Sequence, residues 1–242
     1  MPALLEPLLT IQTLDLDADA ARKQSEAHPA RTRIPELETE LAALDRRRAE
    51  SAATRTALEA DEERLGRAVT ELASEIEAAD VEHYSGKRKD RDDAAAHKDA
   101  QVERREKQSG LEEDELALLE SIESVELELA DADRVRADLE SEREEQLGII
   151  AQVERELTVQ LEKIEREREA QSARVPAAAL DAYARVRGQP RSGGRGCAAL
   201  SEGRCSACQI KLPVHEYSKM MAEPEDAVIQ CPQCRRVFVR GE

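Results

Sequence analysis

Two stretches of this sequence set apolar residues at alternating steps of four and three. The first runs from Leu37 to His83 through Leu41, Leu44, Arg48, Ser51, Arg55, Leu58, Glu62, Leu65, Val69, Leu72, Ile76 and Ala79. The second runs from Leu111 to Ile164 through Glu115, Leu118, Ile122, Val125, Leu129, Ala132, Arg136, Leu139, Arg143, Gln146, Ile150, Val153, Leu157 and Gln160. At 3.5 residues per turn such a repeat keeps one narrow stripe facing a partner helix, which is the signature of a coiled coil. The chain is therefore committed to long helices. Its aromatic content agrees, since Tyr84, Tyr183, Tyr217 and Phe238 are the only four among 242 residues, with no Trp. A large globular enzyme core is normally filled by such side chains, at roughly 150–250 Å² of burial each.

The fold class read from this pattern is mainly α: a long antiparallel helical coiled-coil hairpin. A parallel homodimer would set Arg48 against Arg48, a like-charge contact, so the two stretches are read as folding back on one another. Pairing His83 with Leu111 makes the numbers of facing residues add to 194. Arg48 then meets Gln146, and Ser51 meets Arg143, so polar interruptions share one wet zone. The tip falls near 84–110, which opens with the turn signal Ser85-Gly86 and has no 4,3 apolar repeat, either as a whole or as a short loop near Ser85-Gly86 with Ala94, Ala95 and Ala96 already helical.

Prolines divide the base. A first helix is expected from about Pro7 to Ala27, then a kink at Pro29 and Pro35, because a proline inside a helix removes a hydrogen bond and clashes with the preceding turn. Val175-Pro176 ends the second arm, and a short helix follows from Pro176 to Arg187. Residues 1–190 thus form the hairpin domain, and residues 191–242 a separate small domain.

That small domain holds all five cysteines. Cys205-Ser-Ala-Cys208 and Cys231-Pro-Gln-Cys234 are two CxxC pairs separated by 22 residues. Each pair presents two thiolates from one turn, and together they complete a tetrahedron of soft ligands suited to one structural Zn2+. Four protein ligands leave no open coordination position for catalysis. His215, between the pairs, reads as an ordinary surface residue. Cys197 reads as a small half-buried side chain in a strand entering the ribbon. Ile210 with Leu212, and Val237 with Val239, alternate as short strands, so the hairpin is joined by a small C-terminal β zinc ribbon.

The net charge is −17, from 36 basic and 53 acidic residues. By segment it runs −9 over 1–83, +2 over 84–110, −12 over 111–190 and +2 over 191–242. The acidic total argues against general nucleic-acid or membrane binding. The basic run Lys87-Arg88-Lys89-Asp90-Arg91 and the ribbon's Lys211, Lys219, Arg235, Arg236 and Arg240 are the candidate contact residues. The N-terminus lacks a basic n-region and an uninterrupted apolar stretch, so it does not read as a signal peptide. With cysteines clustered in one tail, the expected setting is the cytoplasm. The weak seam from Arg48 to Glu62 leaves monomer and weak dimer both open.

A helical hairpin followed by CxxC–x22–CxxC resembles the bacterial family of coiled-coil proteins with a C-terminal C4-type zinc ribbon. The resemblance is carried by Leu9-Thr-Ile-Gln12-Thr-Leu14-Asp15, by His83-Tyr84-Ser85-Gly86, by Leu111-Glu-Glu-Asp114 with Leu118-Leu-Glu120, and by Tyr183. It implies metal ligands at Cys205, Cys208, Cys231 and Cys234. It also implies a non-enzymatic adaptor with protein partners, some members being linked to the transcription machinery through sigma-54, to flagellar gene control and to transcripts. The alternative is a regulator that binds RNA or other nucleic acid through the ribbon or the tip. The chain departs from the family pattern between Lys87 and Lys107, which is highly charged and nearly free of large apolar residues.

Overall fold

The computed structural model describes residues 4–86 and 91–240. The chain forms helices α1 (Pro7–Glu26), α2 (Pro29–Ser85), α3 (Arg91–Ser172), α4 (Ala177–Arg187) and α5 (Val214–Ala222). Strands β1 (Cys197–Ser201), β2 (Arg204–Cys205) and β3 (Val237–Arg240) complete it. The fold is mainly α with a small C-terminal ribbon. Its contacts divide into two compact units, Met1–Thr32 with Gln146–Glu242, and Arg33–Glu145. This division differs from the 190/191 boundary suggested by the sequence, because the ribbon sheet shares a hydrophobic core with α1 and α4.

In the Arg33–Glu145 unit, α2 and α3 run antiparallel along their 4,3 stripes. All fourteen of the α2 positions named above are buried or half-buried. The register, however, is not the expected one. Glu38 pairs with Arg143, Asp45 with Arg136, Arg48 with Asp133 and Arg55 with Glu126, and each pair's numbers add to 181 rather than 194. The reason lies at the turn. Residues 91–110 belong to α3, so His83 stacks on His97, with ring centroids 3.9 Å apart, and does not reach Leu111. Within α3 the 4,3 stripe continues N-terminal to Leu111 in polar residues. His97, Gln101, Arg104 and Gln108 are buried or half-buried in phase with Leu111. Gln101 Nε2 donates to the Ile76 carbonyl and to Asp80 Oδ1, at 3.1 and 2.9 Å. Of the run 87–91 only Arg91 is among the described residues.

The kink expected at both prolines is confined to the first. Pro29 opens α2, with His28 Nδ1 accepting the Ala30 N–H at 3.3 Å as a cap. Pro35 sits inside the helix. It deprives the Arg31 carbonyl of its partner, but Arg31 and Pro35 are both exposed and water can supply the missing bond. On α3 the seam shifts late, since Gln160 is exposed and Leu161 takes the half-buried place between Leu157 and Ile164.

In the other unit, α1 buries Leu8, Ile11, Leu14, Asp15 and Ala18, spaced along one helical face. α4 buries Ala179, Ala182, Tyr183 and Val186. Between this helical layer and the cysteine knuckles stands a sheet of order β2-β1-β3. β1 pairs antiparallel with β2 and parallel with β3, in register Cys197↔Val237 and Ala198↔Phe238. Alternation sends Cys197, Val237 and Val239 into the core with α1 and α4, and sends Ala198, Leu200 and Phe238 toward the knuckles. Ile210 and Leu212, expected in a strand, lie outside one; a single bridge joins Lys211 to Arg204. The helix α5, started by Pro213, is an element the sequence reading did not anticipate. Among the described residues no helix is long and apolar enough to cross a membrane.

Candidate metal centre

Each CxxC pair is built as the same turn. The Gln209 N–H donates to the Cys205 carbonyl and the Arg235 N–H to the Cys231 carbonyl, both at 2.9 Å. Gln209 and Arg235 take left-handed φ values of 61° and 63°. Each chain then doubles back, with the Cys205 N–H donating to Ile210 and the Cys231 N–H to Arg236. These bonds aim both sulfurs of a pair to one side.

The four sulfurs of Cys205, Cys208, Cys231 and Cys234 lie within 4.8 Å of one another. Cys205 Sγ is 3.9 Å from Cys234 Sγ, and Cys208 Sγ is 3.7 Å from Cys231 Sγ. A tetrahedron with zinc–sulfur bonds of about 2.3 Å has edges of about 3.8 Å, so the spacing fits one Zn2+. Cys205 and Cys231 are buried and Cys208 and Cys234 half-buried, so the cage has one side near solvent. Exposed His215 is not part of the cluster.

Electrostatics show what the metal must overcome. Burial raises the Cys205 thiol and pushes Cys231 up to about 12. Burial also opposes ionisation of Cys234, but the Arg236 N–H, with help from the neighbouring thiols, brings it down to about 7. Bound zinc deprotonates coordinating thiols outright. The site is therefore a closed structural centre of four thiolates.

The centre is tied to the helical base by side chains far away in sequence. Cys197 is buried beside it but faces the other way. Its N–H donates to Gln12 Oε1 at 3.0 Å and its thiol to the Leu8 carbonyl at 3.3 Å, and burial pushes the thiol up to about 12. Further along α1, Asp15 accepts from the Tyr183 hydroxyl at 2.7 Å and from Arg168 Nε at 2.7 Å. Arg187 lies 3.2 Å from the same carboxylate and bonds Asp19 at 2.7 Å. Sequence reasoning flagged Gln12, Asp15 and Tyr183 only through family resemblance; Arg168 and Arg187 carried no signal among so many charged residues. Of the basic ribbon residues, Lys211, Lys219 and Arg235 are exposed. Arg236 instead donates to the Ser192 and Arg195 carbonyls, and Arg240 to those of Glu223 and Pro224, so these two hold loops in place.

Comparison with known proteins agrees with this geometry. Residues 204–237 match the family model of the C4-type zinc ribbon domain. Two uncharacterized proteins of Mycobacterium tuberculosis, Rv2229c and MT2288, are each 37% identical over 54 residues. That match spans 22% of this chain and 22% of each relative. A solved structure from Mycobacterium smegmatis aligns over 100% of both chains with a TM-score of 0.74 at 20% identity. The structure of CT398 from Chlamydia trachomatis aligns over 98% of both, with a TM-score of 0.62 at 15% identity. The fold is thus similar over the full length to proteins of distant sequence.

Proposed function

We propose that this protein is a non-enzymatic adaptor whose zinc ribbon and helical hairpin hold protein partners, in the regulation of transcription. The observation that carries the reading is the closed cage. Four cysteine ligands satisfy a tetrahedral zinc and leave no position for water or substrate. The charged chemistry of the base is likewise spent inward, with Tyr183, Arg168 and Arg187 all gathered on Asp15. What the ribbon offers outward is surface: exposed Lys211, Lys219 and Arg235, none of them in an ion pair among the described residues. The link to transcription rests on the family resemblance. A cytoplasmic setting follows from the same reading.

A photo-crosslinking residue placed singly at Lys219, Arg235 and Glu112 of the full chain, in its native cell, tests the proposal. Recovery of a discrete protein partner from at least one ribbon position supports it. Absence of any protein adduct at all three positions overturns it.

The second reading, RNA binding through the ribbon, is favoured by those same three unpaired cations. It predicts binding of labelled RNA that weakens steeply with salt. Against it stand the −17 charge and the lack of exposed ribbon aromatics on which bases could stack.

A further inference from the structure

The ribbon carries a groove of about 490 Å³ between α5 and residues 227–230, lined by Met220, Val228 and Ile229 with Glu216, Glu223 and Lys219. Its floor has an unusual property. Residues 229–231 run antiparallel to β3, with the Phe238 N–H donating to the Ile229 carbonyl at 2.7 Å and the Cys231 N–H to the Arg236 carbonyl at 2.9 Å. Backbone groups of an antiparallel strand alternate in direction, so those of Val228 and Gln230 turn away from β3. Among the described residues neither has a hydrogen bond on its N–H or C=O. The segment is thus an open sheet edge bordering an apolar groove.

Such an edge is a template for one more strand, with main-chain bonds giving affinity and the flanking pocket giving specificity. The charges around it select the occupant. Glu216 and Glu223 line the groove and Glu225 and Asp226 follow, against the single cation Lys219. None of these four carboxylates is in an ion pair among the described residues. Arg240 ties the rim to β3 by donating to the Glu223 and Pro224 carbonyls.

We propose that this groove binds an extended peptide segment of a partner protein by strand addition, with apolar side chains over Met220 and Val228 and basic ones facing Glu216 and Glu223. The proposal rests on the adaptor reading and names its docking site. It also makes docking zinc-dependent, because the edge leads directly into Cys231.

The test uses the zinc-loaded full chain and fluorescent peptides of about ten residues, a length that spans a typical strand. One alternates lysine and valine, one is the same peptide N-methylated at alternate amides, and one alternates glutamate and valine. Binding of the lysine peptide is expected, about tenfold tighter than the N-methylated form, which is the effect of roughly 1.4 kcal/mol of lost main-chain bonding. Glu216→Lys on α5 with Glu223→Lys just past its end is expected to reverse the preference toward the glutamate peptide. Zinc content and circular dichroism confirm that the variant is folded. No binding of the lysine peptide, equal binding of the N-methylated form, or unchanged selectivity in the folded variant would each overturn the proposal. A partner crosslinked at Lys219 or Arg235 in any of those cases leaves the adaptor reading standing with a different docking site.

Discussion

Gly196 meets Tyr183 so closely that a Cβ at position 196 would stand 2.4 Å from the Tyr183 carbonyl oxygen and 2.6 Å from its ring. Backbone and a buried ring cannot both give way. Gly196→Ala is therefore expected to push β1 off α4 and cost about 3 kcal/mol, the upper range for overpacking. Chemical denaturation of the zinc-loaded protein measures it, and Gly110→Ala, where a Cβ meets nothing within 4 Å, is the control.

Removing Asp15 leaves Arg168, Arg187 and the Tyr183 hydroxyl facing a void. The Asp15 side chain is only 10% exposed, so water does not easily replace it. Asp15→Ala is expected to lose about 3–5 kcal/mol, the cost of breaking a buried charge cluster from one side. Asp17→Ala, two residues away, exposed and outside the cluster, is expected to be near neutral, and thermal melts of both variants measure the difference.

The alkaline limb of stability reports on Tyr183. Burial, then donation to Asp15, raises its hydroxyl well above the usual tyrosine range. The unfolded chain titrates near pH ~10. The folded state needs the proton, so this contribution is fully present below that pH and is lost as pH rises toward the folded value. Tyr183→Phe is expected to show a flatter stability curve above pH ~10 than the parent, read by melting at a series of pH values.

Thiol counting separates structural from reactive cysteine. Zinc-loaded native protein is expected to react slowly at all five cysteines at neutral pH. Chelation should expose the four ligands first, since metal binding supplies folding free energy to so small a sheet. Cys197, held protonated by burial, is expected to react only when α1 separates from β1. Mass spectrometry of alkylated peptides gives the order.

Gln101 is buried in the α2–α3 seam, yet its Oε1 has no hydrogen-bond partner. Gln101→Leu removes that acceptor but also the two bonds donated to the Ile76 carbonyl and Asp80, so it is expected to destabilise the hairpin by about 1 kcal/mol. A higher melting temperature would refute it.

The stripes and the cysteine spacing were legible because both are periodic in residue type. The arms follow from leucines at 4,3 steps, and the metal ligands from two CxxC pairs. The register was misread because the stripe between 84 and 110 is written in His97, Gln101, Arg104 and Gln108, which hydropathy does not detect. The Asp15 cluster was equally hidden, since one carboxylate among 53 acidic residues has no mark of burial. The open edge at Val228 and Gln230 depends on backbone pairing, to which residue type is nearly indifferent.

The pairing of Leu8 and Ile11 with Val237 and Val239 in one core has a consequence for biosynthesis. A nascent chain can zip α2 onto α3 from the turn outward as α3 leaves the ribosome, since His83 and His97 meet beside the turn. The apolar face of α1 gains part of its cover from α4, but its contact with Val237 and Val239 must wait until β3 emerges and zinc is captured. A chain terminated before β3 therefore carries an intact hairpin and a partly bare greasy helix, the feature by which chaperones and proteases can tell it from the finished protein.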